Sequence, residues 1–123
     1  VRIGTAEIYR QLEQMAEIDD SVVVGQNWNN DVRVILFVKL TESVELTDEL
    51  KNKIKQTIRT NASPRHVPAK IISVPAVPYT LNMKKVELAV KKVIQGQEVL
   101  NKDALSNPEA LDYYANIEEL QQD

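Results

Sequence analysis

Two runs rich in β-branched residues, Val22-Val23-Val24-Gly25 and Val32 through Leu40, flank the turn-forming stretch Asn27-Trp28-Asn29-Asn30-Asp31. Runs of this kind, partly alternating between apolar and polar, suit strands packed against a core, and the Asn-rich stretch between them reverses the chain. The reading is an antiparallel hairpin with a loop of moderate length, in which Trp28 covers a core edge. A lone hairpin is marginal in water, so its neighbours must cover it. Upstream, Ile8, Tyr9, Leu12, Met15 and Ala16 make one apolar helical stripe behind the capping residue Thr5, and Asp19-Asp20-Ser21 ends that helix. The adjacent acids Asp19-Asp20 and Glu118-Glu119 read as solvated ends.

Downstream, Thr41 to Glu45 is a polar connector and Thr47 caps a second helix. Asp48 and Glu49 stand in its first turn, where the helix dipole favours acids, and Leu50, Ile54 and Ile58 recur on its buried side. Pro64 stops this helix, Pro64 to Pro68 is an extended link, and Lys70 to Val74 reads as a third strand. Pro75 and Pro78 bracket a rigid turn. Asn82 then reads as the cap of a helix whose first turn carries Lys84 and Lys85, with Val86, Ala89, Val90, Val93 and Ile94 at core spacing and Gly96 as the C-terminal glycine. Ser106-Asn107-Pro108-Glu109 starts a short terminal helix, and residues 118–123 are expected to fray. The order α-ββ-α-β-α predicts an α+β fold, a small sheet of a hairpin plus a further strand covered by helices. It is read as a single domain over residues 1–123, with a core of 1–100 and a C-terminal extension of 101–123.

With 123 residues and no cysteine, the chain can bury a core without staples and can hold neither disulfides nor zinc–thiolate sites. One histidine, His66, in a proline-flanked link, excludes a multi-histidine metal site and reads as structural. Three glycines leave no phosphate-cradling Gly-rich loop, and no Gly-x-Ser-x-Gly elbow occurs. No apolar run approaches membrane length and no signal-peptide pattern is present, so a soluble, cytoplasmic protein is expected. The formal net charge of -3 conceals an asymmetry: from Lys51 to Lys92 ten basic residues face the single acid Glu87. That middle is either a solvated face or a receiver of polyanions. Two lysines at a helix start would oppose its dipole, which fits a bound anion or simple solvent exposure.

Val1-Arg2-Ile3-Gly4-Thr5-Ala6-Glu7-Ile8-Tyr9 resembles the motif that follows the hinge in acyl-adenylate-forming (AMP-binding) enzymes. Pro78-x-Thr80-x-x-x-Lys84 resembles the C-terminal lysine motif of the same superfamily, Pro-x-Thr-x-Ser-Gly-Lys. In that order and separation the two span nearly the whole chain. Ser63 to Lys70, Lys84-x-Val86 to Val90, and Ser106 to Leu111 look most like acetoacetyl-CoA synthetases. The resemblance implies the mobile C-terminal domain of a larger acid–thiol ligase, beginning just past the hinge, whose parent turns acetoacetate and ATP, with Mg2+, into an acyl-adenylate and passes the acyl group to coenzyme A. ATP and Mg2+ would be bound mainly by a large N-terminal domain, the partner of this one, and the isolated chain would be inactive.

By the same resemblance Lys84 is the adenylation lysine, Arg59 contacts a coenzyme A phosphate, and Arg2 and Gly4 face the active site in the thiol-transfer pose. Glu7 belongs to that motif but serves packing or capping, and Lys85 is a surface residue. Three positions depart from the motif: Tyr79 replaces a frequent basic residue, Asn82 a serine and Met83 a glycine. Two other readings stand beside this one. The chain could be a stand-alone module holding RNA or another polyanion, although Tyr79 is the only aromatic in its basic span, or it could be an inactive paralogue used as an interaction domain.

Overall fold

The computed structural model describes residues 5–100 and 102–122. Its sheet has three strands in the order β1-β2-β3. β1 (Ile18–Trp28) and β2 (Asp31–Leu40) form the expected hairpin, antiparallel from Ile18 opposite Leu40 to Trp28 opposite Asp31. The turn is tighter than expected. Only Asn29 and Asn30 lie between the strands, with φ of 50° and 63°, the left-handed pair that a two-residue type I′ turn requires and that Asn tolerates better than most residues. Trp28 therefore ends a strand, and the Arg33 guanidinium stacks 4.1 Å from its ring centroid. At the other end β1 already includes Asp19 and Asp20, which are part of the sheet and not a solvated break.

β3 (Lys70–Ser73) pairs parallel with β2, Leu36 opposite Ile71. Parallel neighbours need a crossover, and α2 (Asp48–Asn61) supplies it. Side chains alternate across each strand, so central β2 is buried on both faces. Ile35 and Phe37 join Val22, Val24 and Ile72 on one face, while Leu36 and Val38 join Val23 and Ile71 on the other. The latter face is covered by Ile8 and Leu12 of α1 (Thr5–Glu13) and by Leu50, Ile54 and Ile58 of α2. The former is covered by Ala89, Val90 and Ile94 of α3 (Glu87–Ile94) together with Leu111, Tyr114 and Leu120 of the C-terminal segment. Tyr114, fully buried, meets Phe37 edge-on at 4.8 Å and donates its hydroxyl to the Ala76 carbonyl at 2.7 Å.

Helix ends follow the local chemistry where that chemistry is strong. The Leu50 N–H donates to Thr47 Oγ1 at 3.1 Å. At the end of α3, Gly96 has φ 73°, and the N–H groups of Gly96 and Gln97 return to the carbonyls of Val93 and Lys92, the paired bonds of a Schellman cap. Elsewhere the structure corrects the expectation. Thr5 lies inside α1, Pro64–His66 forms a 3-10 turn in place of an extended link, and the terminal helix Pro108–Tyr114 is 3-10. Nor do residues 118–122 fray. Leu120 is 1% exposed, its carbonyl accepts from Gln26 Nε2 at 2.8 Å and from Arg33 at 3.1 Å, and Arg33 also reaches the Gln122 carbonyl at 2.8 Å. No helix among the described residues is long and apolar enough to cross a membrane.

Candidate functional site

Lys84 stands on a tight turn that precedes α3, not in the first turn of a helix. α3 starts at Glu87 and its N-cap is Val86, with no side-chain cap, so the lysines do not oppose a helix dipole and Asn82 caps nothing. The reason is pairing that local sequence cannot reveal. Tyr79 forms an antiparallel bridge with Lys85, and Thr80 another with Leu105. Thr80 ties the turn from three atoms: its N–H donates to the Lys84 carbonyl (2.8 Å), its carbonyl accepts from Met83 N–H (2.9 Å), and its hydroxyl accepts from Lys84 N–H (3.1 Å). To close this loop Met83 adopts φ 62°, the left-handed region that glycine enters freely and other L-residues enter at a cost.

The incoming arm is pinned by the C-terminal segment. The Asn107 side chain straddles Pro78, accepting from Tyr79 N–H at 2.9 Å and donating to the Val77 carbonyl at 2.9 Å. Ser106 N–H donates to the Tyr79 carbonyl and Leu81 N–H to the Ala104 carbonyl. The Lys84 side chain is exposed on this anchored turn, and among the described residues no acid lies within ion-pair distance of its ammonium. Around it, Leu81 (66%), Met83 (70%) and Leu88 (66%) expose large apolar side chains on the turn and the first turn of α3, an arrangement suited to a face that another surface covers.

Lys85 is not a surface charge. Its ammonium lies 3.9 Å from the centroid of the Tyr9 ring and 3.5 Å from Asp20 Oδ1. Asp20 Oδ1 also accepts from Ser21 N–H at 2.8 Å, and Oδ2 accepts the Tyr79 hydroxyl at 2.5 Å. The Tyr9 hydroxyl donates to Glu87 and accepts from Val23 N–H, a donor on edge strand β1. Burial, reinforced by the hydrogen bonds to Glu87 and Asp20, pushes the Tyr9 and Tyr79 phenols well above their ordinary range, so both remain neutral donors. None of Tyr9, Asp20, Tyr79, Lys85 and Glu87 was singled out as a site residue from the sequence. The signals the sequence did carry were the Lys84-Lys85 pair and Tyr79 standing where a basic residue is frequent.

Arg59 is exposed in the last turn of α2, where a cation suits the dipole. With Asn52, Lys55, Gln56, Pro64 and Val67 it lines a shallow groove of about 460 Å³. It belongs to the helix layer on one face of the sheet, whereas the lysine turn leads into the layer on the other, so the structure does not bring Arg59 and Lys84 together. Arg2 and Gly4 lie outside the described residues. Ser63 Oγ and His66 Nδ1 are hydrogen-bonded at 2.6 Å, a local turn contact. Among the described residues no group of acids and histidines could hold a metal ion. Tyr79, the one aromatic of the basic span, is half-buried, and its hydroxyl donates to Asp20.

No protein-family model matches the chain. Over 120 residues, 98% of the chain, it is 59% identical to the acetoacetyl-coenzyme A synthetase of Rhizobium meliloti (strain 1021), and over 122 residues it is 50% identical to the acetoacetyl-CoA synthetase of Xenopus tropicalis. The solved structure of the acetoacetyl-CoA synthetase from Streptomyces lividans superposes with a TM-score of 0.87 at 38% identity, covering 99% of the chain and 19% of that protein. The chain spans about 18% of the length of the curated relatives it matches.

Proposed function

The chain belongs to the acetoacetyl-CoA synthetase family, as a domain of such ligases, and from that premise we propose that it is the mobile C-terminal domain that delivers Lys84 to the adenylation step. The ligase would activate acetoacetate with ATP to an acyl-adenylate and then transfer the acyl group to coenzyme A. The observation that carries this reading is an exposed lysine on a turn held rigid by Thr80 and by the Tyr79–Lys85 pair, with an apolar rim that invites a covering surface. As ATP reacts with the carboxylate, negative charge builds between the acid and the α-phosphate. A preorganised ammonium there stabilises the transition state by roughly 3–4 kcal/mol.

The α2 groove serves the second step. Arg59, with Lys55 beside it, offers cationic donors to a coenzyme A phosphate from the opposite layer of the domain. Two cationic features in two layers suit a domain that turns between half-reactions. By the family resemblance, the magnesium ion that accompanies ATP would be held mainly by the large N-terminal domain.

The test is made in the full-length ligase. Lys84→Ala should lower ATP–pyrophosphate exchange by on the order of 10²–10³-fold, while thioester formation from supplied acyl-adenylate stays near wild type. Undiminished exchange, or equal loss of both steps, would remove Lys84 from this role.

A further inference from the structure

Asp20 sits on edge strand β1, far from the lysine turn in sequence, yet it holds both arms of that turn at a single rung. Tyr79 and Lys85 are the bridge partners that close the base of the turn. Asp20 Oδ2 accepts the Tyr79 hydroxyl at 2.5 Å, and Oδ1 faces the Lys85 ammonium at 3.5 Å. The carboxylate is itself oriented by Ser21 N–H at 2.8 Å. The ion pair is shielded, the Lys85 and Asp20 side chains being 26% and 23% exposed. Lys85 also lies against the Tyr9 ring, whose hydroxyl reaches Glu87 at the start of α3. Every residue that flanks Lys84 on this rung is thereby referred back to the sheet.

We infer that Asp20 is a positioning residue for the adenylation step: by gripping Tyr79 and Lys85 together it fixes the base of the turn and so the direction from which Lys84 is presented. This rests on the reading of Lys84 given above. The neutral state of Tyr79, imposed by burial and the bond to Asp20, keeps its hydroxyl a donor. A reacting group misplaced by an ångström can lose on the order of 10²-fold in rate, and the grip acts one residue away from the group it places.

The experiment uses the full-length ligase with Asp20→Asn, Tyr79→Phe, Lys84→Ala and the double variants. Asp20→Asn can keep the bond from Ser21 N–H and loses the charge that holds Lys85; Tyr79→Phe loses one hydroxyl and no charge. Each single variant should lower kcat for ATP–pyrophosphate exchange, Asp20→Asn by on the order of ten- to a hundred-fold, with thioester formation from supplied acyl-adenylate unchanged. In the Lys84→Ala background neither should cause further loss, because the group being positioned is gone. A merely structural role would instead lower both half-reactions alike and add to Lys84→Ala, and that result would overturn the inference. If Asp20→Asn fails to fold, Tyr79→Phe decides by the same comparison. Loss of exchange in Lys84→Ala with normal exchange in the other two removes the role of Asp20 alone; normal exchange in Lys84→Ala removes both readings.

Discussion

Replacing Met83 with glycine should stabilise the domain. Met83 holds φ 62° in the lysine turn, a conformation that costs an L-residue with a Cβ about 1–2 kcal/mol. Glycine removes that strain but gives the unfolded chain more freedom, which offsets about 0.4–1 kcal/mol. The side chain is 70% exposed, so little buried area is lost with it. The balance is a gain of roughly 0.5–1 kcal/mol. With an unfolding entropy of about 2.1 cal/mol/K per residue over 123 residues, that corresponds to a rise in Tm of about 2–4 °C. Paired thermal and urea unfolding of wild type, Met83→Gly and Met83→Ala checks it. Alanine must keep the same left-handed backbone and therefore should not share the gain. If Met83→Ala stabilises as much as Met83→Gly, the effect belongs to the exposed side chain, and backbone strain at this position is refuted.

Alkaline pH should unfold the domain through its tyrosines. Tyr9, Tyr79 and Tyr114 all have phenols raised by burial above the ordinary value of 10.0. A raised acid binds its proton more tightly in the folded state, so its contribution is complete below about pH 10 and is lost as pH climbs beyond. Tyrosinate absorbance for these three should appear together with loss of near-ultraviolet circular dichroism; their ionisation in a fully folded chain would contradict this. In the full-length ligase, Arg59→Ala should raise KM for coenzyme A severalfold with adenylation unaffected, and an unchanged KM would return Arg59 to a solvated helix end.

Much of the architecture was legible because its signals are local. Thr47 before Asp48-Glu49 caps α2 as expected, Gly96 ends α3 in a Schellman motif, and the two β-branched runs pair as an antiparallel hairpin. The shape of the lysine segment was not legible. From Met83 to Val90 no Gly or Pro interrupts the sequence and Val86, Ala89 and Val90 recur at helical spacing, which suggests a helix that includes both lysines. Pairing of Thr80 with Leu105 and of Tyr79 with Lys85 holds the first part extended; a window of a few residues does not contain those partners. For the same reason Asp19-Asp20 reads as a solvated break, although Asp20 meets Tyr79 and Lys85, 59 and 65 residues further on. Met83, which stands where the resembled motif has glycine, takes a left-handed φ of 62° in this chain.

The docking of the last residues has a consequence for how freely they can vary. Gln26 and Arg33 hold the last residues through the backbone carbonyls of Leu120 and Gln122. What they recognise is a chain path, indifferent to the identity of Gln121 or Gln122, while Leu120 alone is tied to the core. Drift at the exposed positions should therefore be nearly free. A cut before Leu120 is another matter: it would strip the buried Gln26 amide nitrogen of its carbonyl acceptor and leave Arg33, among the described residues, with only Gln26 Oε1 and the Trp28 ring.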